Sequence, residues 1–508
     1  MQRLYHRPNI VAVKGPNKSE GRAAGALEFY CKKITCWGLA ELGFRNVVSG
    51  ELSWFESPHV DCYIFSSMLI PFKRNSFMKR LVVSLLFVLP ALGAIGAEAP
   101  VTLIKAGHLV DVAAGKVLDN QMVLVQGEAI KQVGPNLTAP ANAKIVDLSS
   151  SWLLPGLIDC HTHLSGQSEN YYDDIFRKSP IDLSVYAHVY TRRTLQAGFT
   201  TCRDVGSGEF IDVALKKAIN AGKIPGPRLF VAGLILSATG GHGDLNGFSP
   251  YLHFETADGV ADGVDAIRKK VRWNIKYGAD LIKFTATAGV LSEEESVGAP
   301  QFSAEEMKAI VDEASMWGRK VAAHAHGAEG IKRAIKAGVT SIEHGSILDD
   351  EAIALFKEHG TYLVPTVYVG FSVVEHAKEW NLPEKLVEKA KTINAQKMAC
   401  LRKAIQGGVK IAYGTDAGVF PHGENARDFR YLVEAGMTPM QAIQAATITA
   451  AALIGQTNKI GSLEAGKYAD LVAVNSDPLK DVTVLEKIPF VMKGGIIYRG
   501  NVAAPAAE

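Results

Sequence analysis

Apolar runs that end in polar residues alternate with segments of helical period through the middle of the chain. Val321–His324 has the character of a buried strand, and Ala328–Ala337 then carries apolar residues at positions i, i+3 and i+4. Val339–His344 and Tyr362–Val369 predict the next two strands, and Lys410–Thr415 predicts a later one. Because strand and helix repeat in this way between residues 155 and 457, the pattern predicts a parallel (β/α)8 TIM barrel of the α/β class.

Capping signals predict where the helices of this region begin. Asp349 or the next residue can cap a helix that runs through Phe356. Thr438 and Pro439 supply an N-cap and a first-turn proline for a helix that continues to Leu453. In a barrel of this kind, functional side chains are expected at the carboxyl ends of the strands.

Both flanks of the predicted barrel have a different pattern, in which short strands are separated by glycine and proline. These flanks predict one small β-sandwich domain formed from residues 100–154 and 458–503. The predicted strands are Val101–Ala106, Gln121–Gln126, Ala129–Val133 and Lys144–Asp147 before the barrel, and Leu471–Asn475, Val482–Leu485, Val491–Lys493 and Ile496–Arg499 after it.

The first hundred residues differ from the rest, and residues 1–77 show no sustained period. A short basic stretch follows Met78, an apolar run covers Leu81–Leu89, and a small-x-small site ends at Ala99. This layout is typical of a secretory signal peptide, here over residues 78–99. We interpret residues 1–77 as an upstream extension and expect export to the periplasm or the medium from a start at Met78. Pro90 interrupts the apolar segment, so no stable membrane span is expected.

Composition limits the function classes. The 508 residues are 47% hydrophobic and 21% charged, with a net charge of +2. This is ordinary globular usage and gives no reason to expect a nucleic-acid partner. Three of the six cysteines precede residue 78, and the remaining Cys160, Cys202 and Cys400 are widely spaced without a CxxC motif. Neither a disulfide framework nor a thiolate zinc site is therefore expected.

Histidines and an aspartate occupy the carboxyl ends of the predicted strands. His161 and His163 lie two residues apart and so face the same side of a strand, although such a pair can also be an exposed loop feature. His324 and His344 end two successive strands, and Asp416 follows a later one. The strand ends of a parallel barrel meet at one mouth. Together these side chains predict a metal site.

Lys283 is unusual because it lies in the middle of the apolar run Leu281–Thr285. A bare buried ammonium costs desolvation free energy. Two interpretations are open: the lysine pairs with a nearby carboxylate, or CO₂ carboxylates it and makes it an anion that bridges two metals.

Several motifs resemble those of the amidohydrolase superfamily over residues 101–500. The motifs on which this resemblance rests are PGLIDCHTH at residues 155–163 and GSLEAGKYADLV at residues 461–472. TGGHG at 239–243 and AHAHG at 323–327 are similar to a branch that holds prolidase-type dipeptidases, carboxypeptidase-like enzymes and ochratoxin-hydrolysing amidohydrolases. The resemblance implies a (β/α)8 barrel with a β-sandwich, a binuclear centre that usually holds zinc, and a homo-oligomer, with an octamer as one form.

Matching the motifs residue by residue implies two divalent metal ions, by default Zn²⁺, bridged by carboxylated Lys283. His324 is preferred to His326 as the ligand from its strand, because His324 is nearer the strand body and His326 lies where substrate would lie. The implied metal ligands are His161, His163 and Asp416 for one ion, His324 and His344 for the other, and Lys283 between them. The candidate substrate contacts are His242, His326 and Tyr368.

The resemblance implies an amide hydrolase that cleaves dipeptides or N-acyl amino acids with a free C-terminal carboxylate, ochratoxin-type N-acyl-phenylalanine amides included. A hydroxide held between the metals would attack, with Asp416 as general acid and base. A mononuclear deaminase or cyclic-amide hydrolase of the same superfamily is an alternative, although Lys283 argues against the deaminase. A non-catalytic metal- or solute-binding protein is the third, although the complete ligand set with Asp416 argues against it.

Overall fold

The computed structural model describes residues 99–168, 170, 173–252, 259–294 and 296–500. The chain divides into two units, residues 1–94 and 95–508, and every described residue lies in the second. The predicted upstream extension at 1–77 lies outside the described residues, as do the signal peptide predicted for 78–99, apart from Ala99, and positions 501–503.

Eight parallel strands form the centre of the described chain. Strands β5 to β7 are hydrogen-bonded neighbours in one group, and β8 to β12 are neighbours in a second. The strands are β5 (Leu157–Thr162), β6 (Phe199–Asp204), β7 (Arg228–Val231), β8 (Leu281–Thr285), β9 (Lys320–Ala325), β10 (Ser341–His344), β11 (Tyr362–Val364) and β12 (Lys410–Ile411).

Backbone hydrogen bonds join the two groups into a closed barrel. Beyond β7, the Leu236 N–H donates to Lys283 O of β8 at 2.9 Å. Beyond β12, Tyr413 O accepts from Cys160 N–H at 2.9 Å, and the Asp416 N–H donates to His161 O at 2.8 Å. The predicted (β/α)8 barrel is confirmed, and the carboxyl ends of its strands share one mouth.

Helices cover the barrel, and the capping signals are confirmed. Asp349 accepts from the Ala352 N–H at 2.8 Å, and Thr438 forms a capping box with Gln441. None of the helices in the described ranges is long and apolar enough to cross a bilayer. The helices are Asp173–Arg177, Pro180–Gln196, Ile211–Asn220, Val264–Tyr277, Ala304–Met316, Ala328–Ala337, Asp350–His359, Val367–Glu375, Glu384–Gln406, Asp428–Glu434, Pro439–Gln444 and Ala450–Ile454, with a π-helical segment at Ala445–Thr449 between the last two.

The small domain contains strands from both flanks of the barrel. They form one hydrogen-bonded sheet in the order β15-β14-β13-β4-β1-β2-β3, in which only β1 and β4 are parallel neighbours. Because β4 continues through Gly156 into β5, the sheet holds the first barrel strand in place. The strands are β1 (Val101–Asp111), β2 (Lys116–Gln126), β3 (Ala129–Gly134), β4 (Lys144–Pro155), β13 (Leu471–Val474), β14 (Phe490–Lys493) and β15 (Ile496–Arg499).

The strand prediction for Tyr362–Val369 is wrong beyond Val364, because a helix begins at Val367. Thr366 takes a left-handed backbone conformation with φ 46°, which breaks the strand. The Asp428 carboxylate then accepts the N–H groups of Val367 and Tyr368 at 2.5 and 3.2 Å, which satisfies the first turn of the helix.

The strand predicted at Val482–Leu485 is also wrong. This segment forms a short 3₁₀ helix, Val482–Glu486. Asp481 explains the difference, because its carboxylate accepts the N–H of Thr483 at 2.9 Å and caps the turn.

Candidate metal centre

Two histidines and an aspartate form the first part of the centre. His161 lies near the end of β5, His163 follows the strand, and Asp416 comes from the segment after β12. Asp416 Oδ1 lies 3.3 Å from His161 Nε2 and 3.4 Å from His163 Nε2. Buried Asp159 fixes this segment against β5, because its carboxylate accepts the Thr415 N–H at 3.1 Å.

The outer partners of the two imidazoles decide what the inner nitrogens can bind. His161 Nδ1 donates to Glu343 Oε2 at 2.9 Å, and His163 Nδ1 donates to Gly206 O at 2.8 Å. Because both partners are acceptors only, a neutral ring presents a lone pair at Nε2. When both rings are neutral, those lone pairs face the Asp416 carboxylate and three acceptors converge, an arrangement that a positive charge must stabilise. Without a metal ion a ring proton supplies that charge, and the Asp416 carboxylate accordingly raises the pKa of His163 against the effect of burial. This donor set suits a divalent metal ion.

Three further histidines form the second part of the centre. The ligand atoms of His324, His326 and His344 lie within 4.8 Å of one another. His326 Nδ1 is hydrogen-bonded to Ser346 Oγ at 2.8 Å, and His344 Nδ1 to Thr366 Oγ1 at 2.7 Å. His324 Nε2 is buried and has no hydrogen-bond partner. A buried, unpaired ring nitrogen in such a cluster fits a second metal site.

Burial also sets the charge state of this cluster. It lowers the pKa of His324, His326 and His344 well below the ordinary value, and nearby cationic groups lower each pKa further. All three rings are therefore neutral near pH 7, which is the form that binds metal.

The backbone turns two of these side chains into the mouth. His344 has φ 72° and Asp416 has φ 69°, in the left-handed region that residues other than glycine rarely adopt. In a regular strand Glu343 and His344 would face opposite sides. Because the chain leaves the extended conformation at His344, Glu343 bonds the His161 ring while His344 packs on it at 4.9 Å between centroids. This strain is typical of functional sites.

Lys283 lies in the same cavity of about 160 Å³ as both histidine groups. It is only 3% exposed. No described residue gives its ammonium a hydrogen bond or a carboxylate at ion-pairing distance. Within the described ranges Lys283 therefore has no direct carboxylate pair, the first interpretation, although the charges of Glu343 and Asp416 act on it. Burial lowers the pKa of Lys283 to about 8.

Glu343 is a functional residue that the sequence reasoning missed. Its carboxylate accepts the His161 ring N–H and also forms a buried ion pair with Arg203, with both oxygens 2.8 Å from the guanidinium. Burial alone would raise the pKa of Glu343, but Arg203 and His161 bring it down to about 2. A charged residue inside the buried strand β10 was the available signal, of the same kind that singled out Lys283.

Glu343→Gln is expected to loosen the centre and the fold together. The variant leaves Arg203 buried without its counter-ion, and removing one partner of such a pair costs about 3–5 kcal/mol. The loss of the acceptor for His161 should weaken metal binding about 10- to 100-fold. Denaturant unfolding and metal titration measure the two effects. Glu351→Gln, an exposed carboxylate bound to Lys332, is the matched control and should change neither; an equal effect of both substitutions would contradict the assignment.

The structure brings two of the three predicted substrate contacts to the cavity. His242 and His326 line it. The His242 ring stacks on His324 with 4.1 Å between centroids, and its Nδ1 is bonded to Ser292 Oγ at 2.5 Å. Gly289 is required beside it, because a Cβ there would lie 2.4 Å from the His242 ring.

Tyr368, the third predicted contact, is not among the residues that line the cavity. It is fully buried on the helix Val367–Glu375, and its hydroxyl is bonded to Arg427 and to Glu424 Oε2, the latter at 3.3 Å. Tyr368 was predicted to lie near the end of a strand, and therefore at the mouth of the barrel. Because it lies on a helix instead, that reason for predicting a substrate contact no longer holds.

Known proteins are similar to this chain in sequence and in fold. The sequence model of the amidohydrolase family matches residues 152–499. The ochratoxinase of Aspergillus niger is 35% identical over 436 residues, which cover 81% of this chain and 89% of that protein. Among solved structures, an Xaa-Pro dipeptidase with bound methionine is 42% identical, with a TM-score of 0.75 and coverage of 79% of this chain and 100% of the other. A prolidase complexed with N-methylphosphonate-L-proline is 30% identical, with a TM-score of 0.74 and the same coverage. The protein is therefore a hydrolase that belongs to the amidohydrolase family.

Proposed function

We propose that the protein is a binuclear metal-dependent hydrolase that cleaves the amide bond of dipeptides or N-acyl amino acids. The observation that carries the proposal is that Asp416 Oδ1 lies 3.3 Å from His161 Nε2 and 3.4 Å from His163 Nε2. The relatives support the substrate class, since they include an Xaa-Pro dipeptidase, a prolidase and an ochratoxinase.

Lys283 supports a second metal in the same cavity. A carbamate forms when a neutral amine nitrogen bonds to the carbon of CO₂ and loses a proton. With its pKa lowered to about 8, Lys283 is neutral more often than an exposed lysine, and no described residue competes for it by a hydrogen bond or ion pair. The product is an anion with two oxygens, which could join the His161 group and the His324 group as ligands of neighbouring ions. Zinc suits the mixture of imidazole and carboxylate donors.

The chain's own residues position the substrate and move the proton. Two divalent cations, when bound, polarise the scissile carbonyl and make a water more acidic. Burial alone would raise the pKa of Asp416, but positive charge and N–H donation from protonated His161 and His163 hold it well below the usual range. A bound cation would supply that positive charge when the rings are neutral, so the carboxylate is the resting form of Asp416. Asp416 can therefore accept a proton from the attacking water and return it to the leaving nitrogen. His242 and His326 line the cavity together with His324 and His344, and they orient the acyl part of the substrate.

Metal quantitation combined with a substrate panel tests the proposal. We expect two zinc ions per chain, with hydrolysis of dipeptides and N-acyl amino acids. One metal with deamination or ring opening of cyclic amides would support the mononuclear alternative. Two metals without turnover of any panel member would support a binding protein. Export from Met78 and assembly into a homo-oligomer stay predictions of the sequence.

A further inference from the structure

Lys397 is a second buried lysine at the cavity and has no role in the proposed metal centre. It lies on the helix Glu384–Gln406, is 4% exposed, and lines the same cavity as Lys283. Its ammonium donates to Thr366 O at 2.6 Å and to Thr366 Oγ1 at 3.3 Å. An ammonium has three N–H donors, so one is left. Burial lowers the pKa of Lys397 to about 8, which keeps it mostly cationic near pH 7.

Within the described part of the chain, no carboxylate forms a direct ion pair with Lys397. Among the described residues none places a carboxylate oxygen within 4.0 Å of its ammonium. Asp428, whose charge acts on Lys397, already accepts the N–H groups of Val367 and Tyr368. A buried cation with a spare donor and no direct counter-ion is costly unless an anion reaches it.

Asn394 adds a polar group without a hydrogen-bond partner among the described residues, on the same face of the helix as Lys397. It precedes Lys397 by three residues, which places both on one side, and it also lines the cavity. Asn394 is 8% exposed, and no described residue forms a hydrogen bond with its amide. Gly370 makes room for it, since a Cβ at that position would lie 2.0 Å from Asn394 Oδ1.

The residues that line the cavity with Lys397 favour a ligand that has both an anionic group and an apolar group. Lys283 and Lys397 are the two lysines among the described residues that line the cavity, and no arginine lines it. Since Lys283 is assigned to the metals, Lys397 is the remaining fixed cation. The cavity is also lined by apolar side chains: Ile235, Val290, Leu291, Val369, Val373, Ile393 and Val419.

Lys397 lies close to one histidine of the proposed centre. Lys397 Nζ lies 3.3 Å from Thr366 Oγ1, which lies 2.7 Å from His344 Nδ1. The sum of these two distances is an upper limit, so the Lys397 ammonium lies at most about 6 Å from His344 Nδ1. Lys397 also lines the same cavity as the histidines of the proposed centre. A substrate whose scissile carbonyl lies at that centre can therefore direct the carboxylate of the next residue toward Lys397.

We propose that Lys397 and Asn394 bind the α-carboxylate of the amino acid that hydrolysis releases. Lys397 supplies the charge and one N–H, Asn394 supplies its amide N–H group, and the apolar walls take the side chain of that amino acid. The inference rests on the proposed function and deepens it, because it restricts the substrates to amides of amino acids with a free carboxylate and an apolar side chain.

Lys397→Met is the direct test, with the fastest free-acid substrate of the panel and its C-terminal carboxamide. The unmodified protein should favour the acid by about 10²-fold in kcat/KM, because charge-assisted hydrogen bonds to a buried carboxylate are worth a factor of this size. Lys397→Met should remove most of this preference. Lys391→Met, on the exposed side of the same helix, should retain it. If Lys397→Met slows both substrates equally, the lysine only supports Thr366 and the inference is wrong.

Asn394→Leu keeps the inference testable if Lys397→Met does not fold. Because Asn394 makes no hydrogen bond within the described protein, the change should leave the thermal midpoint unchanged or raise it. The acid preference should nevertheless fall about tenfold. An unchanged acid preference in a folded Asn394→Leu protein would show that Asn394 does not bind the α-carboxylate.

Binding without turnover gives an independent readout. L-Leucine should raise the thermal midpoint of the unmodified protein, and L-leucinamide should not. Equal shifts with the two compounds would overturn the inference. Failure of the unmodified protein to cleave any amide would contradict the proposed function. Equal cleavage of the free acid and its carboxamide would contradict only the proposal that Lys397 and Asn394 bind the α-carboxylate.

Discussion

Asp416→Asn is expected to lower kcat by about 10²–10⁴-fold, the usual contribution of a positioned general acid and base. The amide is nearly isosteric with the carboxylate and still offers one oxygen to a metal beside His161 and His163. It cannot carry a proton from water to the leaving nitrogen, however. The variant should therefore keep most of its metal while losing turnover, and zinc quantitation beside steady-state kinetics measures both properties on the same sample.

The control for this variant is Asp312→Asn, an exposed carboxylate paired with Lys308 on a surface helix. It should change neither kcat nor metal content. Retained turnover in Asp416→Asn would refute the proton role of Asp416. Loss of metal in proportion to activity would show instead that Asp416 acts only as a ligand.

Lys283→Ala is expected to reduce the metal content from two ions per chain toward one, with loss of most of the activity. The truncation removes the side chain that we assign as the bridge between the two histidine groups. It leaves His161, His163 and Asp416 intact, so one ion should stay. Because Lys283 has no hydrogen-bond or ion-pair partner among the described residues, the loss is not explained by a broken protein contact.

Two further observations decide the meaning of that result. Removal of CO₂ and bicarbonate during metal loading should reproduce part of the defect in the unmodified protein, because the carbamate cannot then form. Lys336→Ala, an exposed lysine bound to Glu351, should bind two ions. Two ions in Lys283→Ala would contradict the bridging role.

Local signals explain which parts of the fold the sequence could predict. The helix Ala328–Ala337 has a clear apolar period and ends at Gly338, which takes φ 102°, so its predicted bounds are confirmed. The helix at Val367 could not be predicted in this way. Its first N–H groups are satisfied by Asp428, sixty residues later in the chain, and no local pattern records such a contact.

The same distinction applies to the site. His161, His163, His324, His344 and Asp416 were predictable because a barrel gathers its strand ends, whatever the details of packing. The structure brings them together but also adds His326 to the second cluster, since all three rings lie within ligand distance of one another. Lys397 and Asn394 were missed because they lie on a long helix, where a lysine and an asparagine in a polar pattern normally indicate a solvent-exposed face.

Amide hydrolysis measured during zinc titration tests the central claim most directly. Metal-free full-length protein receives zinc in fractional equivalents in the presence of bicarbonate, and the initial rate on the fastest dipeptide or N-acyl amino acid is followed. The binuclear account predicts that the rate continues to rise up to two equivalents per chain and then levels off. A rate that saturates at one equivalent, or that does not depend on zinc, would contradict it.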